Sequence, residues 1–308
     1  MIVKFIRKRY LGLLCAFIAT MCWACNYPVS RLLFKGSGVD DLDPWWTAWL
    51  RVFFGAVIFL VLSFFVSGDS WRKFRGSWKI DGKMFVFLAA CSVAESVLCF
   101  IALKYTTSAR ASLLANTSPV FTLLISVIAG KEFLSRRKIT GVLLGLSGII
   151  IAAVSRGGDM FSGGVSTLAG DLLAVTSGIF WALFTVYGGT VSCRYQGVFC
   201  TALYRLGGIL LMLPVLIVFD SRISFDMPFV VWAVLIYLSV ISGGFATWLW
   251  SIAQRHVEPG SLGSFGYLSA FCATVFSLCF LGEKITAGLV LSFCCIIGGM
   301  MLVIGGRR

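Results

Sequence analysis

Apolar residues gather along this chain into long stretches separated by short polar gaps, at roughly 10–34, 45–66, 84–103, 111–129, 139–154, 168–188, 198–219, 229–251, 261–281 and 286–304. A helix that crosses the hydrocarbon core of a bilayer needs about 20 mainly apolar residues. The pattern therefore predicts an all-α integral membrane protein with ten transmembrane helices. Short gaps make neighbouring helices antiparallel. The longest lie at 67–83, rich in charge, and at 155–167, rich in Gly and Ser.

Composition supports this reading. Of 308 residues, 59% are hydrophobic and 13% charged, against about 25% charged in soluble domains. A formal net charge of +13 would suit nucleic acid if it formed one patch. The basic residues instead cluster in the gaps, so no nucleic-acid partner is expected; the bilayer is. With the N-terminus inside, the inner gaps hold Arg72, Lys73, Arg75, Lys79, Lys83, Lys131, Arg136, Arg137 and Lys138, and the outer gaps hold fewer, such as Arg31, Lys35, Lys104, Arg110 and Arg156. The excess of Lys and Arg on one side places both termini in the cytoplasm of a multi-pass protein of the cell (inner) membrane. Lys4, Arg7, Lys8 and Arg9 ahead of an apolar run resemble a signal peptide, but the run 10–34 is too long for one and is read as a retained first span. Of the eleven cysteines, Cys15, Cys22, Cys25, Cys91, Cys99, Cys272, Cys279, Cys294 and Cys295 all fall inside apolar runs, where thiols act as small hydrophobes. No structural disulfide, metal site or cofactor is expected.

The chain repeats itself. Gly12, Leu14, Ala16, Trp23 and Ala24 recur 158 positions later as Gly170, Leu172, Ala174, Trp181 and Ala182. Arg51 recurs as Arg205, and Ser126, Glu132 and Gly148 recur as Ser277, Glu283 and Gly299. The halves are read as 1–157 and 158–308, each with five spans. An odd number of spans inverts the second half in the membrane, which is a transporter architecture with its site near the midplane.

Several short motifs also stand in a telling order. Trp23-Ala24-Cys25-Asn26 resembles a Trp-Gly-x-Asn opening, and Leu103-Lys104-Tyr105-Thr106 with Ala109 to Leu114 a junction between helices three and four. Ser118-Pro119-Val120, Glu132, Gly141 and Gly148 follow, and Leu281-Gly282-Glu283 closes helix nine. In these features the chain is similar to EamA-type members of the drug/metabolite transporter superfamily over nearly its whole length. Lys131, Ala270 and Phe184 depart from the family's Gly, Pro and Asn. The resemblance implies a ten-helix transporter, often an exporter of amino acids or related metabolites.

Ionisable groups within a span are costly and point to a partner or a role. Glu95 lies past the middle of helix three, with Ala246 at the matching repeat position. It suits a proton-coupling group, a partner for a substrate ammonium, or a structural carboxyl. Arg51 and Arg205 could capture an anionic substrate group, since guanidinium forks onto carboxylates, or could snorkel or pair helices. Pro28 and Pro119 interrupt helices one and four, which would free backbone groups beside Asn26 and Asn116 for a ligand. Trp23, Trp181, Trp248, Trp250, Tyr204 and Tyr267 offer cavity walls or core packing. Trp45, Trp46 and Trp71 read as interfacial anchors. Glu132 and Glu283 read as structural carboxylates at helix C-termini, neutralised by Arg136, Arg137 or Lys284. Gly141, Gly145 and Gly148 form a small-residue face for close helix contact. His256, the sole histidine, reads as an exposed loop residue.

The expected substrate set is Trp23, Asn26, Arg51, Glu95, Asn116, Trp181, Arg205, Trp248 and Tyr267. No phosphate-binding Gly-x-x-x-x-Gly-Lys-Ser/Thr run occurs, so a gradient would drive transport, with protons a candidate coupling ion. The paired carboxylates, His-rich metal site or Ser/His pair that an intramembrane enzyme would want are missing from the spans. The leading expectation is export of small metabolites, amino acids or related zwitterions, by alternating access. Export of organic cations or drugs is the alternative, ahead of a channel or a non-transporting scaffold.

Overall fold

A computed structural model describes residues 2–25, 29, 43–106, 108–155, 165–221, 223–281 and 287–305, and among these every regular element is helical. In chain order the α-helices are α1 (Ile2–Ala24), α2 (Pro44–Val66), α3 (Gly68–Tyr105), α4 (Ser108–Ala115), α5 (Ser118–Ile128), α6 (Arg136–Ser155), α7 (Val165–Ser192), α8 (Gly197–Val218), α9 (Phe229–Tyr237), α10 (Ala246–His256), α11 (Pro259–Leu281) and α12 (Ala287–Gly305). A π-helical segment, Leu238–Phe245, joins α9 to α10. Among the described residues six helical stretches are long and apolar enough to cross a membrane: Trp45–Val66, Gly68–Cys99, Leu168–Ser192, Gly197–Val218, Phe229–His256 and Ala287–Gly305. The chain is a multi-pass membrane protein.

Three expected elements take a different form. The run 111–129 is two helices, because Pro119 has no N–H to continue a ladder and sits instead in the first turn of α5. The break is held by Thr117, whose N–H and hydroxyl both donate to the Leu114 carbonyl at 3.1 and 2.6 Å. The run 229–251 is interrupted by the π segment. The charged gap 67–83 is helix rather than connection, as the first part of α3. Its Trp71 and Phe74 stand at helical spacing and both meet Phe199, a pair too sparse to raise the mean hydropathy of the segment.

That first part is an arm bent away from the rest of α3. The rings of Phe74 and Phe85 lie 5.6 Å apart, yet eleven residues of straight helix rise about 16.5 Å. A Phe ring centre reaches only about 4 Å from its Cα, so a straight helix cannot join them. The elbow is filled by Tyr195 and Phe199, each in ring contact with both phenylalanines. The Tyr195 hydroxyl donates to Asp81, and Arg194 bridges the same carboxylate at 2.7 Å. Burial and the Asp81 carboxylate push the Tyr195 phenol up to about 12.

Two compact units emerge, each drawing on both halves of the chain: Met1–Arg9 with Ala94–Tyr187 and His256–Arg308, and Tyr10–Val93 with Gly188–Arg255. In the first, α6 lies against α12 at backbone contact. A Cβ added at Gly141 would stand 2.6 Å from the Gly299 carbonyl, and one at Gly299 would stand 2.5 Å from that of Gly141. Gly145 receives the ring of Tyr267, and Gly148 lies 2.8 Å by the same measure from Ile296. The small-residue face expected around Gly141 is this seam. Gly141→Ala is expected to cost about 1–3 kcal/mol by overpacking, read as a lower unfolding temperature in detergent. Gly305→Ala, where a Cβ meets nothing within 4 Å, serves as the control.

In the second unit, α2 packs on α8 and α9. Asp43 caps α2, its carboxylate accepting from the N–H groups of Trp45 and Trp46 at 2.9 and 2.8 Å, with Pro44 pre-set in the first turn. Trp46, Leu50, Val231, Leu235 and Leu238 form its apolar core. Trp45 and Trp46 are therefore buried rather than interfacial, Trp45 stacked on Phe219 and Trp46 donating to the Ser224 carbonyl at 2.8 Å. Trp71 is half-buried, stacked on Phe64 at 4.7 Å. Trp45 and Trp46 belong to protein packing, because Phe219 and Ser224 lie against them at the start of α2.

Candidate functional site

The π segment interrupts a membrane-spanning helical stretch of the second unit, and polar and aromatic groups converge on it. In a π turn the N–H reaches back five residues, as Ala246 does to Ile241. The widened turn leaves carbonyls poorly satisfied along the helix, and side chains from other helices take them up. Trp23 of α1 donates its indole N–H to the Ser242 carbonyl at 3.0 Å. The Arg205 guanidinium of α8 donates to the Gly243 carbonyl and, at 3.0 Å, to the Thr247 hydroxyl. Thr247 in turn donates to Gly243 at 2.6 Å.

Small residues make this approach possible. A Cβ at Gly243 would stand 3.3 Å from the Arg205 guanidinium, and one at Gly244 would strike the Phe59 ring. From α2, Gly55 comes within 3.1 Å of the Ser239 carbonyl by the same measure. Arg51 lies one turn before Gly55 on α2, and a Cβ at Gly55 would stand 3.9 Å from the Arg205 Cδ, so the Arg205 side chain passes α2 one turn from Arg51. Two like charges in one apolar unit repel, and an anion between or beside them would relieve that. Trp23 also meets Trp250, ring centres 5.1 Å apart. The site thus has two guanidinium groups, a hydroxyl and an indole wall around a segment of loosened backbone.

The structure gathers Trp23, Arg51 and Arg205 here, and Trp248 elsewhere in the same unit. Trp248 packs on Phe245 and on Gly197 at the start of α8; Trp250 takes the place beside Trp23. Thr247 and the π segment were not foreseen from sequence. The signal for them was the Ser242-Gly243-Gly244 run in the middle of a span, a site where helices commonly deform. Asn26 lies outside the described residues.

The other expected residues belong to the first unit. Glu95 on α3 is half-buried and accepts from the Ser96 hydroxyl at 3.1 Å. Asn116 sits half-buried in the break between α4 and α5, where Gly178 of α7 abuts the Ala115 carbonyl. Trp181 is half-buried and stacks on Phe184 at 5.6 Å. Tyr267 is fully buried, its hydroxyl donating to the Val142 carbonyl at 3.2 Å, so its role is in the α6–α11 packing.

The first unit also buries an ion cluster. Glu132 is not paired with Arg136 or Arg137. Lys138 turns inward to it at 2.5 Å and to Glu258 at 2.8 Å. Ser126 and the Gly260 N–H complete the Glu132 carboxylate at 3.1 and 2.8 Å. The expected conflict with a helix C-terminus is thereby resolved, since the carboxylate sits on the N-terminus of α11, where the dipole favours it. Glu283 lies outside the described residues. His256 ends α10 half-buried, not exposed.

Comparison with known proteins places these features in a family context. The sequence model described as "EamA-like transporter family" matches residues 10–154 and again 168–305. An uncharacterized transporter of Archaeoglobus fulgidus is 28% identical over 94% of this chain and 93% of its own length. The uncharacterized transporter YetK of Bacillus subtilis is 22% identical over 86% and 80%. A WAT1-related protein of Arabidopsis thaliana is 27% identical over 67% and 64%. A solved crystal structure shares the fold, with a TM-score of 0.79 at 20% identity over 94% of this chain and 95% of that one.

Proposed function

Because the chain belongs to the EamA-like transporter family, we propose that it is a secondary transporter that exports small metabolites bearing a carboxylate, amino acids or related zwitterions first among them. In this reading ten helices form two inverted repeats, 1–157 and 158–308, that alternate access to a central cavity in the cell (inner) membrane, both termini cytoplasmic. The observation that carries the substrate class is the Arg51–Arg205 pair beside the π segment. Guanidinium groups stay charged at any physiological pH and match carboxylate geometry. Trp23 supplies an apolar wall, and Asn26, Asn116 and Trp181 are further contacts of the same proposal.

Glu95 is the partner for the substrate ammonium or for a coupling proton. Glu95→Gln is expected to leave exchange of labelled substrate intact while uphill accumulation driven by a proton gradient is lost; full accumulation by that variant would remove Glu95 from coupling.

Counterflow in proteoliposomes against amino acids, amines and sugar phosphates tests the whole reading. Saturable exchange of amino acids is expected. Exchange of amines alone would favour an organic-cation or drug exporter working through Glu95. Exchange of nothing, with single-channel currents, would make the protein a channel.

A further inference from the structure

The arm at the start of α3 carries a surface that transport does not use. Arg72, Arg75 and Lys79 all lie on that arm, and all three are exposed. Lys83 follows, also exposed. Arg72 meets Asp69 at 3.4 Å through solvent-exposed side chains, a pairing of little strength. Arg75, Lys79 and Lys83 make no ion pair among the described residues. Between the basic residues stand two large apolar ones, Trp78 and Ile80, 60% and 75% exposed.

The level of the arm follows from its anchor. Trp71 stacks on Phe64 of α2, and Phe64 and Phe65 are 60% and 83% exposed at the end of a span. Such a pair of exposed rings at the end of an apolar helix faces acyl chains. The arm therefore starts where hydrocarbon gives way to headgroups, and its elbow turns it aside from the line of the span. On its inner side Lys73 donates to the Arg194 carbonyl at 3.3 Å, and Gln196 accepts from Ser67 at 2.9 Å while its N–H donates to Ser70 at 3.0 Å. The arm is thus fastened within the second unit along one side and leaves cations, an indole and an aliphatic side chain exposed.

We infer that residues 68–83 form an interfacial arm that binds the headgroups of anionic phospholipids, with Trp78 seated at the headgroup level. Basic residues near an anionic leaflet gain roughly fivefold in binding each, and tryptophan prefers the headgroup level. A soluble polyanion would meet the same charges but would leave Trp78 in water.

The test is hydrogen exchange on the full chain in nanodiscs of phosphatidylcholine alone or mixed with phosphatidylglycerol. Peptides covering 68–83 should exchange on the order of tenfold more slowly with phosphatidylglycerol, and molar salt should reverse much of this. The Arg72→Gln, Arg75→Gln, Lys79→Gln triple variant should lose the difference between discs, and Trp78→Ala should reduce it. Equal exchange in the two discs would overturn the inference, and that comparison stands even if the triple variant fails to fold. So would protection reproduced by inorganic phosphate added to phosphatidylcholine discs, which would make this a phosphate site. The readout involves no substrate, so its outcome is separate from that of the transport proposal.

Discussion

Arg205→Gln is expected to lower counterflow of a carboxylate substrate roughly a hundredfold or more, the loss that follows when one member of a buried, hydrogen-bonded charge contact is removed. The guanidinium does two things in the structure. It satisfies the Gly243 carbonyl and Thr247 in the π segment, and it places a positive charge next to Arg51. Substitution with Gln removes the charge and the guanidinium contact, but the Gly243 carbonyl keeps the Thr247 hydroxyl as donor, so the lost hydrogen bond adds only about 1 kcal/mol of destabilisation. Arg51→Gln, one turn from Gly55 on α2, is expected to weaken carboxylate binding similarly. The amide of the same substrate supplies the second readout. If the arginines bind the carboxylate, the amide competes poorly against the unaltered protein, and the two variants discriminate far less between acid and amide. Equal discrimination before and after substitution would assign the pair to helix packing.

Lys138→Met should destabilise the folded protein by about 3–5 kcal/mol, the cost of stranding a buried charge. The side chains of Lys138 and Glu132 are only 5% and 1% exposed, while that of Glu258 is 44% exposed and can turn to water. Glu132 would keep Ser126 and the Gly260 N–H but lose its cation. Thermal unfolding in detergent measures the loss, and the Lys138→Met, Glu132→Gln double variant should recover a large part of it. Lys138 also predicts a pH dependence. Burial pulls its ammonium down, but the hydrogen bonds and charges of Glu132 and Glu258 outweigh this and hold it above the ordinary lysine value. A raised value means that the folded state keeps the proton more tightly than the unfolded chain. The contribution is therefore complete at neutral pH and is lost as pH rises past about 10.4 and through the folded value. The unfolding temperature of the unaltered protein should fall in that alkaline window, and that of Lys138→Met should fall less.

The lengths and order of the spans α2, α7, α8 and α12 were legible from hydropathy alone, because the thickness of the hydrocarbon sets how many apolar residues a helix needs, whatever it packs against. The break at Pro119 and the glycine seam of α6 were legible for a similar reason. A missing N–H and a missing Cβ act through the local backbone. The twofold pattern of Trp23 with Trp181 and of Arg51 with Arg205 could also be read directly, and two of these residues, Trp23 and Arg205, donate to carbonyls of the π segment.

What the sequence could not decide were choices among chemically equivalent partners. Arg136, Arg137 and Lys138 are interchangeable by charge, and only the start of α11 beside Glu132 selects Lys138. Trp248 and Trp250 are two residues apart, so they face different sides of α10, and only the position of α1 makes Trp250 the neighbour of Trp23. The π segment depends on Arg205 and Trp23 arriving from other helices to satisfy its carbonyls. The elbow of α3 depends on Tyr195 and Phe199, more than a hundred residues away in the chain. Solvent and covalent geometry are present at every residue and so leave a local mark, whereas partnership exists only after distant helices have met.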